Sequence, residues 1–197
     1  MSLREYSIPA NIAAAVLRHA NSDQRLLALH RSRIPPQLLE ETHARISIER
    51  FADLQVNTML VLEDETLGYF QRRHPVGTWH MMCHAVIGCE TLGQAISRYC
   101  RFYRLFDVGL QPHFEVAGDL SRVSLVPIFP GERGDPFVVN LLMSNAYRFF
   151  SWLIKEHFPL TAVRYQHAEA DFSISYRDMF FSNPVEFEQG VDELGFS

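Results

Sequence analysis

Between Thr91 and Pro127 the apolar residues change their period from about 3.6 to 2, and this limits the fold more than any other feature. Leu92, Ile96, Tyr99, Tyr103 and Phe106 recur at i, i+4, i+7, i+11 and i+14, one stripe of an amphipathic helix. Thr91-Leu92-Gly93-Gln94 has the spacing of a capping box, so the helix start is written just ahead of the stripe. Immediately afterwards LQPHFEV and LSRVSLVP flank Ala117-Gly118-Asp119, which predicts two strands around a short glycine turn. Pro112 cannot donate to a sheet ladder and pushes the first of these strands to an edge. Asp135-Pro136 then supplies a cap and a proline at the first helical position, opening a helix to about His157 that stops against Pro159. LTAVRYQH reads as a strand, SYRDMF as a short helix, and VEFEQ with VDELGF as a last strand or hairpin. This order predicts an α+β fold, an antiparallel or mixed sheet with packed helices. No glycine-rich strand-to-helix turn supports a nucleotide-binding fold.

The first 45 residues read as a helical N-terminal segment, with turns at Asn21-Ser22-Asp23 and Pro35-Pro36. Ser47 can cap a helix through IERFADLQVNTMLVLE. Phe51, Gln55, Met59 and Leu62 lie on one face with Leu54, Thr58 and Val61 beside it, which predicts a buried central helix. Asp64–Phe70 follows after a kink or break, and Glu63-Asp64-Glu65 reads as a solvated run. A chain of 197 residues fits a single domain over 1–197 and can bury a core without disulfides. Cys83, Cys89 and Cys100 are odd in number and have no paired spacing, which suits reduced thiols in the cytoplasm. The net charge of −5, with scattered Arg and Lys, argues against nucleic-acid binding by this chain itself. Nothing resembles a membrane span or a secretory leader.

Candidate chemistry centres on His80-Met81-Met82-Cys83-His84. On a helix, His80 and His84 share a face at a metal-binding spacing, with Cys83 alongside. A zinc peptidase needs Glu after the first His, and position 81 is Met. Metal or redox sensing through His80, Cys83 and His84 is the alternative to a packed, pocket-lining role, since no distant third ligand stands out. Adjacent Cys83 and His84 make no nucleophile–base pair, and no carboxylate pair, serine elbow or phosphate loop is present. The expectation is therefore no enzyme and no cofactor. On the helix from Pro136, Val138, Leu142, Asn145, Phe149 and Trp152 share one face, and Asn140, Ser144, Arg148, Ser151 and Lys155 another. An Asn on an apolar face needs a hydrogen-bond partner if buried. Arg148 offers a counter-ion for an acidic ligand, and Trp79, Tyr99 and Tyr103 offer flat faces with polar tips. The candidate pocket is Trp79, His80, Cys83, Tyr99, Tyr103, Asn145 and Arg148.

Five pieces occur in sequence over roughly residues 25–196. They are RSRIPPQLLEETHARISIERFADL, DETLGYF, PVGTWHMMCHAVIGCETLGQAISRYCRFYRL, FFSWLIKEHFPLTAVRY and YRDMFFSNPVEFEQGVDELGF, with the Gly-Asp hairpin between the third and fourth. In that order they resemble the N-terminal effector-binding domain of AraC/XylS-type bacterial transcription regulators, in the arabinose-binding-like subtype that includes ornithine-utilisation regulators. The resemblance implies a small-molecule effector and a cytoplasmic homodimer. It also implies DNA contact only through a C-terminal helix-turn-helix domain absent from this chain. The β-barrel of the arabinose regulator, and arabinose itself, do not carry over, because the helix content here does not fit such a barrel.

Overall fold

A computed structural model describes residues 7–41, 43–129, 134–169, 180 and 184–197. The chain divides into two compact units, 1–78 and 79–197. The fold is α+β, as the change of period predicts.

In the first unit, β1 (Ser7–Pro9) pairs antiparallel with β2 (Arg45–Ser47), with Ile8 opposite Ile46. Helices α1 (Ala10–Val16), α2 (Ser22–Arg31) and α3 (Ile48–Leu62) pack around Ile12, Val16, Leu17, Leu29, Ile46 and Leu54. Asn21 caps α2 in a complete capping box with Gln24, so the turn at 21–23 starts a helix as well as separating two. Ser47 caps α3 by accepting from the Arg50 N–H. Helix α3 is buried on one side only. Phe51, Leu54, Thr58 and Leu62 are inside, while Val56 and Leu60 are about half exposed, so the expected all-round burial is corrected. The side chains i+8 and i+12 from Ile48 simply find no covering element within this unit.

The run after α3 is also corrected. Glu63 takes a left-handed conformation (φ 54°) that ends the helix, and Asp64 is fully buried rather than solvated. Its Oδ1 accepts from the Thr66 N–H, the Thr66 hydroxyl and the His74 N–H at 2.7–2.9 Å, and its Oδ2 from the Gly68 N–H at 2.8 Å. Gly68 sits at φ +78°, and a Cβ there would lie 2.8 Å from His19 Cβ, so only glycine fits. Tyr69 donates its hydroxyl to the Ala15 carbonyl at 2.7 Å, tying this turn to α1.

The second unit begins with α4 (Thr78–Val86, its first residue in the first unit) and α5 (Leu92–Tyr103). Strands β3 (Leu110–Ala117) and β4 (Leu120–Pro127) follow, then α6 (Pro136–Ile154), β5 (Leu160–Arg164), β6 (Val185–Glu186) and β7 (Asp192–Phe196). The sheet order is β3-β4-β7-β5-β6, antiparallel except for β5 with β6. Gly118 at φ +62° makes the two-residue hairpin loop between β3 and β4. Pro112 lies on β3, an edge strand, as its missing N–H requires. The last strand, β7, is central and buried along its whole length. Among the described residues the sheet is open, with β3 and β6 at its edges. Helix α5 packs on β3 and α6, and α6 packs on β7. The short helix expected at SYRDMF falls, except for Phe180, outside the described residues.

Candidate ligand-binding site

The local caps place the three helices that carry the predicted site. Thr91 accepts from the Gln94 N–H, while the Gln94 side chain returns to the Glu90 N–H, one residue before the position a strict capping box uses. Asp135 accepts from the Phe137 N–H at the start of α6. Arg98 on α5 donates to the Ala85 carbonyl at 3.0 Å, which fastens the end of α4.

On α4 the inward positions are Trp79, Met82, Cys83 and Val86, the i, i+3, i+4, i+7 stripe. Trp79 meets Phe149 edge-on at 5.2 Å. Tyr99 meets Phe150 at 5.2 Å and Tyr103 at 4.9 Å, both edge-on. Phe149 stacks on Trp152 at 6.0 Å. These rings form one cluster contributed by α4, α5 and α6, its floor the fully buried Phe150 and its rim the half-buried Trp79 and Tyr103.

Burial, helped by the neighbouring Tyr103, Cys100 and Cys83, pushes the Tyr99 phenol well above its ordinary 10.0. Tyr99 therefore stays a neutral hydroxyl, and among the described residues no protein group takes its hydrogen bond. Burial likewise pushes the Cys100 thiol up to about 12, against a lowering by Arg104, so Cys100 is an inert core residue. Cys83 lies on the Tyr99 side of α4, away from His80 and His84.

Of the seven predicted residues, the structure thus brings together Trp79, Cys83, Tyr99 and Tyr103. His80 points outward with His84, their Nε2 atoms 3.2 Å apart. Asn145 and Arg148 are on the exposed stripe of α6. Arg148 shares an open groove of about 640 Å³ with Ser151, Trp152, Lys155, Glu156 and His157. The two α6 faces read from sequence are therefore rotated. Asn140, Ser144 and Ser151, assigned to the polar face, are buried. Asn140 and Ser144 are tolerated there because the Tyr165 hydroxyl donates to Asn140 Oδ1 at 2.8 Å and Ser144 donates to the Leu141 carbonyl, whereas the buried Ser151 hydroxyl has no hydrogen-bond partner among the described residues. Sequence reasoning passed over Phe150, whose adjacency to Phe149 was the available signal. It also passed over the Asn140–Tyr165 pair, for which sequence held none. Among the described residues no three His, Cys, Asp or Glu side chains gather around a common point, so His80, Cys83 and His84 make no three-ligand metal centre.

Residues 25–197 match the family model described as the arabinose-binding domain of AraC transcription regulators, N-terminal part. The chain belongs to this family. It is a regulatory-domain family, not an enzyme family. The match begins within α2 and runs through the whole second unit, so it covers the aromatic cluster entirely. No curated protein matches the chain. Among the described residues no helix is long and apolar enough to cross a membrane.

Proposed function

We propose that this chain is the sensor domain of a cytoplasmic, homodimeric bacterial regulator of the AraC type, which binds a small metabolite and thereby controls DNA binding by a separate domain. The reading rests on family membership and on one observation, a ring cluster whose buried Tyr99 keeps a neutral hydroxyl that no described protein group uses. Such a site offers apolar faces for a ligand's carbon skeleton and the Tyr99 hydroxyl among the polar tips that can meet its polar groups. Trp79, Cys83, Tyr99 and Tyr103 are its core. Asn145 and Arg148 extend it along α6 for a ligand with an acidic group. The family's name specifies arabinose, but aromatic rings with two tyrosine hydroxyls do not make a sugar site distinct from other small polar ligands.

The ligand acts by binding one of two domain arrangements more tightly, since equal affinity for both shifts nothing. A thermal-shift screen against amino acids, organic acids, sugars and fatty acids tests the reading. A ligand at about 100 times its Kd raises Tm by roughly 5–10 °C for a chain of this size. Tyr99→Phe and Tyr103→Ala should abolish that shift while the unliganded domain stays folded. A metabolite that shifts both variants as it shifts the parent would remove the cluster from consideration. Asn145→Ala and Arg148→Ala report separately on the outer stripe of α6.

A further inference from the structure

The outward side of α4 presents two imidazoles that the metabolite site does not use. His80 and His84, one helical turn apart and both exposed, hold their rings at 4.6 Å between centroids and their Nε2 atoms at 3.2 Å. We propose that this pair is a clasp for one divalent transition-metal ion of the copper, nickel or zinc type.

The geometry carries the inference. Two metal–nitrogen bonds of about 2.0–2.1 Å, opened at roughly 100–110°, separate their nitrogens by about 3.1–3.4 Å. The observed 3.2 Å lies inside that interval, so the two Nε2 atoms already stand at the spacing one shared ion requires. As the pair stands, one neutral ring can donate its Nε2–H to the other; on metal binding that ring takes its Nδ1–H tautomer, so both Nε2 lone pairs are free for the ion with no net proton lost. Imidazole favours copper, nickel and zinc over magnesium or calcium, and copper should bind most tightly. Cys83 is not a ligand, because it sits on the side of α4 that faces Tyr99, and water completes the coordination sphere. The clasp spans the same helical turn that presents Trp79 and Cys83 to the ring cluster. An ion there braces α4 from outside, so its occupancy should register in the fluorescence of Trp79.

The test needs no knowledge of the metabolite and stands independently of it. The untagged 197-residue chain is titrated calorimetrically with Cu²⁺, Ni²⁺ and Zn²⁺ salts alone, beside His80→Ala, His84→Ala and Cys83→Ser. The expected result is one ion per chain with copper tightest, at least about tenfold weaker binding in either His variant, and unchanged binding in Cys83→Ser. Both histidines are exposed, so the variants should keep the parent's circular dichroism and Tm in the absence of metal. His80→Gln and His84→Gln provide a second pair should either alanine variant misfold. Failure of the parent to bind, binding that survives loss of both histidines, or binding that disappears in Cys83→Ser would each overturn the two-histidine clasp.

Discussion

The Asp64 turn of the first unit and the ring cluster of the second are both built from residues that stand out in the sequence, yet they solve opposite problems. At Asp64 a buried carboxylate is surrounded by donors drawn from a stretch of eleven residues, 64–74, and four hydrogen bonds converge on its two oxygens. Five of the seven residues of DETLGYF have a local duty there: an acceptor, a hydroxyl donor, a fully buried Leu67, a glycine at positive φ and a tyrosine anchored to α1. The ring cluster instead takes its members from three helices separated by loops, packs them edge to face, and leaves the Tyr99 hydroxyl without a described partner. A polar motif that is locally satisfied supports structure. One assembled at long range, with a group to spare, is where binding should be sought.

This contrast makes ordered predictions. Asp64→Ala deprives four buried or half-buried donors of their acceptor at once and should cost about 4 kcal/mol or more, read by urea denaturation. A loss under about 1 kcal/mol would mean that water replaces the carboxylate and that the turn is less closed than its hydrogen bonds imply. Tyr165→Phe comes next. It leaves the Asn140 carbonyl oxygen buried without its donor and should cost about 2 kcal/mol in the same assay. Tyr103→Ala, at the rim of the ring cluster, should cost only about 1 kcal/mol in stability while removing the ligand-induced thermal shift. If it cost as much as Asp64→Ala, the cluster would be a structural core like any other.

The smallest effect is a difference in pH dependence between the units. In the first, burial lowers the His74 pKa from 6.5 against an opposing pull from Asp64. The unfolded chain then binds more protons than the native one below that value. The stability associated with His74 is therefore complete above pH 6.5 and declines as pH falls toward the lowered native pKa. In the second, burial raises the Asp192 carboxyl above 3.8, opposed by the Gln166 N–H and by His167. Here the native state holds its proton longer, so the contribution is complete below pH 3.8 and is lost as pH rises through the raised value. Thermal melts across pH 3.5–7.5 should thus show His74→Gln flattening the decline on the acid side of neutrality. Asp192→Asn should raise Tm at neutral pH, with the gain fading on acidification. Identical profiles for both variants and the parent would show that neither group titrates differently on folding.

The helix periods, the Ser47, Thr91 and Asp135 caps, the Gly118 turn and the edge position of Pro112 were legible because each is a near-neighbour effect, set by backbone sterics and orphan N–H groups within a few residues. So was the grouping of Trp79, Cys83, Tyr99 and Tyr103, because their helical spacing puts each on an inward stripe. Three matters were not settled by spacing. The rotation of α6 was one: Asn140 and Ser144 look polar in the chain, and only the arrival of Tyr165, twenty-five residues away, makes Asn140 cheaper to bury than Asn145. The burial of Asp64 was another, since an acidic run after a helix is usually solvated and only the fold back to His74 supplies enough donors. The third was the place of β7, which pairs with β4 and β5 at long range and becomes the sheet's centre. The sequence by itself determined where helices begin, where the chain turns and which family it resembles, because those depend on local geometry and ordered motifs. Only the tertiary structure decided that Asn140 and Asp64 go inside, because the Tyr165 hydroxyl and the His74 N–H that help satisfy them reach them only once the chain has folded.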